Sequence, residues 1–374
     1  MRIIFDCFKL IKGTGKSIGI YNVALELITQ LVSEQKTTSS KDIVNSEIVV
    51  LGNSYNKIDF AMDGVEFHEI TKYDPKNKKQ CLYWELFYVV KVAKKLRGDR
   101  LFFPRGFSAL RHSVKDIILV HDCIPFYYNE HFPKFFNKLE NHYIMSRLKS
   151  SVKNSYKVIT ISKSSKKDIL HYCKRKADDI NVIYNTYKFV DFNSLQNNEG
   201  EEKQYICAIT STLPHKNAEG IVRSYQTYLE IAENPLDLIL IGVDQSFIAK
   251  ESDAIKEKVK CLKYIDSNDE LYRIISKSSA FLFLSLIEGF GLPPIEAMQL
   301  KVPVICSNVS SLPEVVGDAA ILVDPRDYLS IAQQLDKVIN EESLRIYLIQ
   351  KGLENLERFS GEKFAKSYWN TILE

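Results

Sequence analysis

Residues 191–203 (DFNSLQNNEGEEK) are polar and aperiodic, and they split the 374 residues into two runs built on one pattern. In the first run, short apolar segments at 2–8, 47–51, 100–103, 116–121 and 157–161 are separated by loops and helical segments such as 81–97. The clearest helix carries Ile20, Ala24, Leu27, Ile28 and Leu31 at the three-and-four spacing of an apolar face. In the second run the apolar segments fall at 205–209, 236–242, 259–265, 280–286, 302–306 and 320–323. Strands alternating with helices imply parallel sheets covered on both faces, and the length favours two cores over one. The expected fold is α/β, with two Rossmann-like domains facing each other across a cleft at the carboxyl ends of their strands. The expected division is 1–192, a linker at 193–203, and a second domain at 204–358.

Several classes are disfavoured. Residues 1–10 are interrupted by Asp6 and Lys9 and lack a secretory cleavage site, and no run of about 18 apolar residues follows. Seven cysteines stand singly, without any C-x-x-C pair, which suits a reducing compartment and argues against a zinc site or disulfide framework.

Net charge is only +3, yet residues 134–176 hold twelve Lys or Arg against Glu140 and Asp168. A basic face of this kind suits an anionic membrane surface; no nucleic-acid-binding motif accompanies it, and an ordinary solvated helix face is the plain alternative.

The glycine-bearing loop around Gly13, Gly15 and Gly19 fits neither familiar phosphate motif. A Walker loop ending at Lys16 needs glycine where Leu10 stands, and a dinucleotide fingerprint needs it at Ile18. What remains is a strand-to-helix loop able to bring backbone N–H groups near a diphosphate. More informative is 284–298 (LSLIEGFGLPPIEAM), which reads as a buried strand end, a glycine-containing loop and a helix start near Pro294. That places Glu288 in a loop at a strand's carboxyl end and Glu296 in the first helical turn.

Glu288 and Glu296, separated by seven residues with glycine, phenylalanine and proline between them, resemble the signature of glycosyltransferase family 4. The resemblance implies the two-domain GT-B fold and places Glu296 on the ribose of a nucleotide and Glu288 beside the donor sugar. Gly289, Phe290, Gly291 and Leu292 would contact sugar and phosphate through the backbone. Residues 212–217 (TLPHKN) are similar to the family's loop after the first donor-domain strand, which implies diphosphate binding by Lys216 with Thr212 beside it; His215 and Thr210 stand where members often have arginine. Tyr264 and Ile265 complete the implied donor contacts, with Gly15 and Gly19 from the other domain. His121 in HDCIP resembles the family's acceptor-domain histidine near the transferred sugar, with Asp122 orienting the loop. Residues 359–374 resemble the last helix that crosses back to the first domain.

The implied activity is retaining transfer of a hexose from a nucleotide-diphosphate sugar, GDP-mannose first among donors. The acceptor would be a lipid-linked or oligosaccharide acceptor of a bacterial surface polysaccharide, O-antigen or capsule. His121, Glu288 and Lys216 are the expected catalytic groups. No Asp-x-Asp occurs, so no obligatory metal or cofactor is expected. The expected location is cytoplasmic, peripheral on the inner face of the membrane. A non-catalytic nucleotide-sugar or lipid binder and a dinucleotide-dependent oxidoreductase are the alternatives.

Overall fold

The computed structural model describes residues 1–12, 18–188, 190, 205–265 and 267–374. Contacts divide the chain into a first unit, Met1–Thr186 with Ser360–Glu374, and a second, Tyr187–Phe359.

The first unit holds β1 (Arg2–Asp6), β2 (Glu47–Gly52), β3 (Val65–Glu69), β4 (Arg100–Phe103), β5 (Lys115–Val120), β6 (Lys157–Thr160) and β7 (Ile180–Val182). They form one parallel sheet in the order β3-β2-β1-β4-β5-β6-β7. Strands buried on both faces are continuous apolar runs, as in β1, where Ile3, Ile4 and Phe5 are fully buried. Two strands escape that signature. Edge strand β3 (VEFHE) interleaves charge and is only half-buried, and β7 is three residues long.

The last helix, Gly361–Leu373, packs within the first unit. Trp369 Nε1 donates to the Leu31 carbonyl at 3.1 Å, and Arg100 Nε to the Ile372 carbonyl at 3.1 Å.

In the second unit, β8 (Tyr205–Ile209), β9 (Asp237–Ile241), β10 (Val259–Leu262), β11 (Ala280–Phe283), β12 (Val304–Ser307) and β13 (Ala320–Val323) form a parallel sheet ordered β10-β9-β8-β11-β12-β13. Both sheets therefore reverse direction of growth beside their first strand, between β1 and β4 and between β8 and β11. In open α/β sheets the crevice outside the carboxyl ends at such a reversal is where ligands bind.

The unit boundary falls at Thr186 rather than Phe192 because the chain beyond it is already held by the second unit. Gln299 donates to the Lys188 carbonyl at 3.0 Å and accepts the Val190 N–H at 2.9 Å. Phe359 likewise stays with the second unit, its ring 5.5 Å from Phe290. The expected linker at 193–203 lies outside the described residues.

The basic segment is less uniform than its sequence. Arg147 is buried, Arg175 donates to the carbonyls of Val152, Ser155 and Tyr156, and Lys157 and Lys166 donate to those of Thr371 and Ile180. These four charges hold the fold together. Lys134, Lys138, Lys149, Lys153, Lys163, Lys167, Lys174 and Lys176 are exposed. Among the described residues no helix is long and apolar enough to cross a membrane.

Candidate functional site

In the second unit, the loops leaving β8 and β11 meet at the point where strand order reverses. The β8 loop ends in a single helical turn, Pro214–Lys216, followed by Asn217 in the left-handed conformation (φ 55°). Asn217 Nδ2 donates to the carbonyls of Leu284 (3.0 Å) and Pro325 (3.1 Å), and the Leu286 N–H donates to the His215 carbonyl at 2.7 Å. These bonds fix the Lys216 loop against the Glu288 loop.

The result is an ion pair. Lys216 Nζ stands 2.6 Å from Glu288 Oε1, with the Glu288 side chain only 10% exposed and that of Lys216 26% exposed. Ser310 and Ser311, after β12, brace the glutamate from behind. Ser310 Oγ accepts the Glu288 N–H at 3.1 Å and donates to its carbonyl at 2.6 Å, and Ser311 Oγ donates to the carbonyls of Glu288 and Phe290. Ser310 holds a positive φ of 59° to do so.

The following helix, Leu292–Gln299, starts earlier than expected, which puts Glu296 in its second turn. Gly291 begins it at φ 108°, where an added Cβ would lie 2.6 Å from Leu312 Cδ2. Pro293 and Pro294 carry no N–H, so the helix start offers an anion the amides of Gly291 and Leu292.

Burial pushes the Glu296 carboxyl up from 4.5 to about 7, against a hydrogen bond from Tyr272 that lowers it. Burial also pushes His215 down to about 4, with the Lys216 charge adding to the effect, so it is neutral at pH 7 and cannot replace an arginine.

Other expected donor contacts stand differently. Thr212 is exposed in the Lys216 loop and Gly19 is exposed in the first turn of the first unit's helix Ile18–Thr37, while Gly15 lies outside the described residues. β10 stops at Leu262, short of the expected 265, which leaves Tyr264 (64% exposed) and Ile265 in the loop beyond it.

In the first unit, His121 follows β5 and lines a cavity of about 840 Å³. Its Nε2–H donates to the Pro104 carbonyl at 2.7 Å, and burial lowers its pKa to about 4, so the ring is neutral. Asp122 Oδ1 accepts the Ile124 N–H at 3.0 Å, an interaction that shapes the loop.

Sequence reading missed Ser310, Ser311, Tyr272 and Asn217. The first two stand directly before the helix Leu312–Val316, where paired serines ahead of a Leu-Pro start are a readable helix-entry signal. Tyr272 gives no such signal, because its role depends on a helix that the topology brings to Glu296.

Two Rossmann-like parallel-sheet units are the fold of the GT-B class of glycosyltransferases. A family model described as glycosyl transferases group 1 matches residues 190–355. The O-antigen chain mannosyltransferase RfbU of Salmonella typhimurium is 30% identical over 262 residues, covering 67% of this chain and 69% of that protein. The O-antigen chain mannosyltransferase B of Escherichia coli is 29% identical over 243 residues, covering 62% and 64%. Among solved structures, WaaG, a glycosyltransferase involved in lipopolysaccharide biosynthesis, superposes with a TM-score of 0.72 at 12% identity over 99% of both chains. A sucrose-phosphate synthase from Thermosynechococcus elongatus gives 0.72 at 15% identity over 99% and 98%. The chain belongs to the group 1 glycosyltransferases, and the oxidoreductase alternative falls with that membership.

Proposed function

We propose that this protein transfers a hexosyl group from a nucleotide-diphosphate sugar, with retention, to a lipid-linked or oligosaccharide acceptor in bacterial surface-polysaccharide synthesis. GDP-mannose is the leading donor, because the relatives that match over most of their length are named as O-antigen mannosyltransferases. The observation that carries the reading is the Lys216–Glu288 pair at the reversal point of the second unit. When the donor diphosphate takes the Lys216 charge, Glu288 is released to face the sugar as it gains positive character. Lys216 and the amides of the Leu292 helix start then meet the charge on the leaving diphosphate as preorganised dipoles. No obligatory metal is required in this scheme, and activity should persist in EDTA.

Glu296 gives the donor site a pH signature. A carboxylate accepts ribose hydroxyls best when ionised, so below pH 7 the donor must bind at the cost of removing a proton. The nucleotide-induced rise in Tm should therefore shrink as pH falls through about 7, with affinity dropping by up to about tenfold per unit. Glu296→Gln should weaken the nucleotide and abolish this pH dependence. An unchanged profile in Glu296→Gln would remove Glu296 from the donor site. The free protein follows the opposite sign. With its folded pKa raised from 4.5 to about 7, this carboxyl contributes less stability as pH rises between those values and no further change above them.

The exposed lysines support a cytoplasmic, membrane-peripheral location. Lys149 and Lys153, and Lys163 and Lys167, form two i,i+4 pairs on the helices Lys138–Asn154 and Lys163–Tyr172. The helices are joined through Phe126, whose ring stacks on Tyr172 at 4.5 Å and lies under Lys149 Nζ at 5.3 Å. Reversing those four charges should abolish sedimentation with anionic vesicles and leave nucleotide binding intact. Unchanged sedimentation would return the lysines to an ordinary solvated face.

A further inference from the structure

The cavity in the first unit sits at that unit's own reversal point, where the chain leaving β1 carries Lys9 and the chain leaving β4 carries Arg105. Its walls combine apolar side chains such as Phe107, Leu82 and Ile144 with the cations Lys9, Lys76, Lys78, Arg105 and Arg147. The acids Glu85, Asp122 and Glu140 also line it; Asp122 accepts the Ile124 N–H, and Glu85 is already committed to cations. Glu85, 6% exposed within the π-helical turn Trp84–Tyr88, pairs with Lys9 at 2.7 Å and lies 3.9 Å from Arg147. Backbone strain of the π-helical kind recurs at functional sites.

Arg105 is different. Among the described residues it makes neither hydrogen bond nor ion pair, and its Nε is buried without a partner. Arg147, 7% exposed, donates through Nη2 to the Ser108 carbonyl but leaves its own buried Nε unpartnered. Arg105 lines the cavity together with His121 and Cys81. Gly106, at φ 76°, holds the turn there, since a Cβ would come within 3.2 Å of the Leu119 carbonyl oxygen. Arg105 is half-buried with its Nε shielded from solvent, and a partly desolvated cation without a counter-charge is costly unless a ligand supplies one.

We propose that this cavity binds an anionic group carried by the acceptor sugar, a carboxylate or a phosphate ester, with Arg105 as its counter-charge and Arg147 behind it. The proposal rests on the reading of the first unit as the acceptor-binding unit. A cavity of this size suits a small organic ligand, and the guanidinium fork suits either oxyanion. Glu85 then acts as a spacer that keeps Lys9 and Arg147 in place.

The test is calorimetric binding of methyl glucuronide, glucose 1-phosphate and neutral methyl glucoside to the intact protein and to Arg105→Gln, Arg105→Lys and Lys216→Gln. At least one anionic sugar should bind while the neutral one does not, and which of them binds identifies the group as carboxylate or phosphate. Arg105→Gln should weaken that binding by roughly tenfold or more; Arg105→Lys should restore part of it, and Lys216→Gln should leave it unchanged. Equal binding of the neutral glucoside, an unaffected Arg105→Gln, or binding of neither anion would overturn the proposal. The nucleotide-induced Tm shift, which reads the second unit, separates the outcomes. If it persists without anion binding, only this inference fails; if it is lost in the unaltered protein, the glycosyl-transfer reading fails first.

Discussion

Glu288→Gln should lower kcat by about a hundredfold to a thousandfold, corresponding to about 2.7 to 4 kcal/mol of lost transition-state stabilisation, with a much smaller change in donor affinity. Gln has the shape of Glu and keeps an oxygen for Lys216, so the Ser310 and Ser311 bonds to the Glu288 backbone survive the change. What disappears is the negative charge proposed to face a sugar that becomes cationic only in the transition state, and an interaction made only there appears in kcat. Lys216→Gln should behave differently. In the proposed mechanism its charge would meet the diphosphate in the ground state as well as in the transition state, so KM should rise along with the fall in kcat. Saturation kinetics on both variants provide the check. Normal turnover in Glu288→Gln would leave the fold reading intact and remove that carboxylate from the mechanism.

Gly242→Ala should destabilise the second unit by roughly 2–6 kcal/mol, combining about 1–3 for strained backbone with about 1–3 for overpacking. Gly242 follows β9 at φ 107°, and an added Cβ would lie 2.0 Å from the Thr210 carbonyl oxygen. That oxygen cannot retreat, because Thr210 is tied to β9 through its N–H at 2.8 Å from the Ile241 carbonyl. The damage should reach the site, since Thr210 Oγ1 donates to the Lys216 carbonyl at 2.8 Å. Gly19→Ala makes the contrast, having negative φ and nothing within 4 Å of its added Cβ. Urea unfolding followed by circular dichroism should show a large loss for Gly242→Ala and none for Gly19→Ala. Equal stabilities would mean that the close approach of Gly242 to Thr210 is not part of the native fold.

The legible parts of the molecule were those whose signal is local. Continuous apolar runs marked the doubly buried strands, and the Glu288 to Glu296 spacing marked a loop-and-helix element because both residues lie within one supersecondary unit. Signals that needed topology were not legible. The partner of Lys216 stands 72 residues away, and only the reversal of strand order beside β8 brings the two together. Arg105, Lys9 and Glu85 read as isolated charges until β1 and β4 become neighbours. β3 was hidden by the alternation of Glu and His on an exposed edge. Local charge also misled. Composition cannot separate a lysine facing water from Arg147 or Arg175, whose guanidinium groups are used on backbone carbonyls inside the first unit. The helix start was misplaced for a related reason, since Pro293 and Pro294 suited several registers and the left-handed Gly291 decided among them.

The proposed transfer from a nucleotide-sugar donor places the new bond on the face the nucleotide leaves. NMR of the product, made with the donor whose nucleotide raises Tm, reads this directly from the one-bond carbon–proton coupling at the anomeric centre, which separates the anomers of a mannosyl group where the proton–proton coupling is small in both. An anomeric configuration matching that of the donor is the predicted result, and an inverted product would contradict the account.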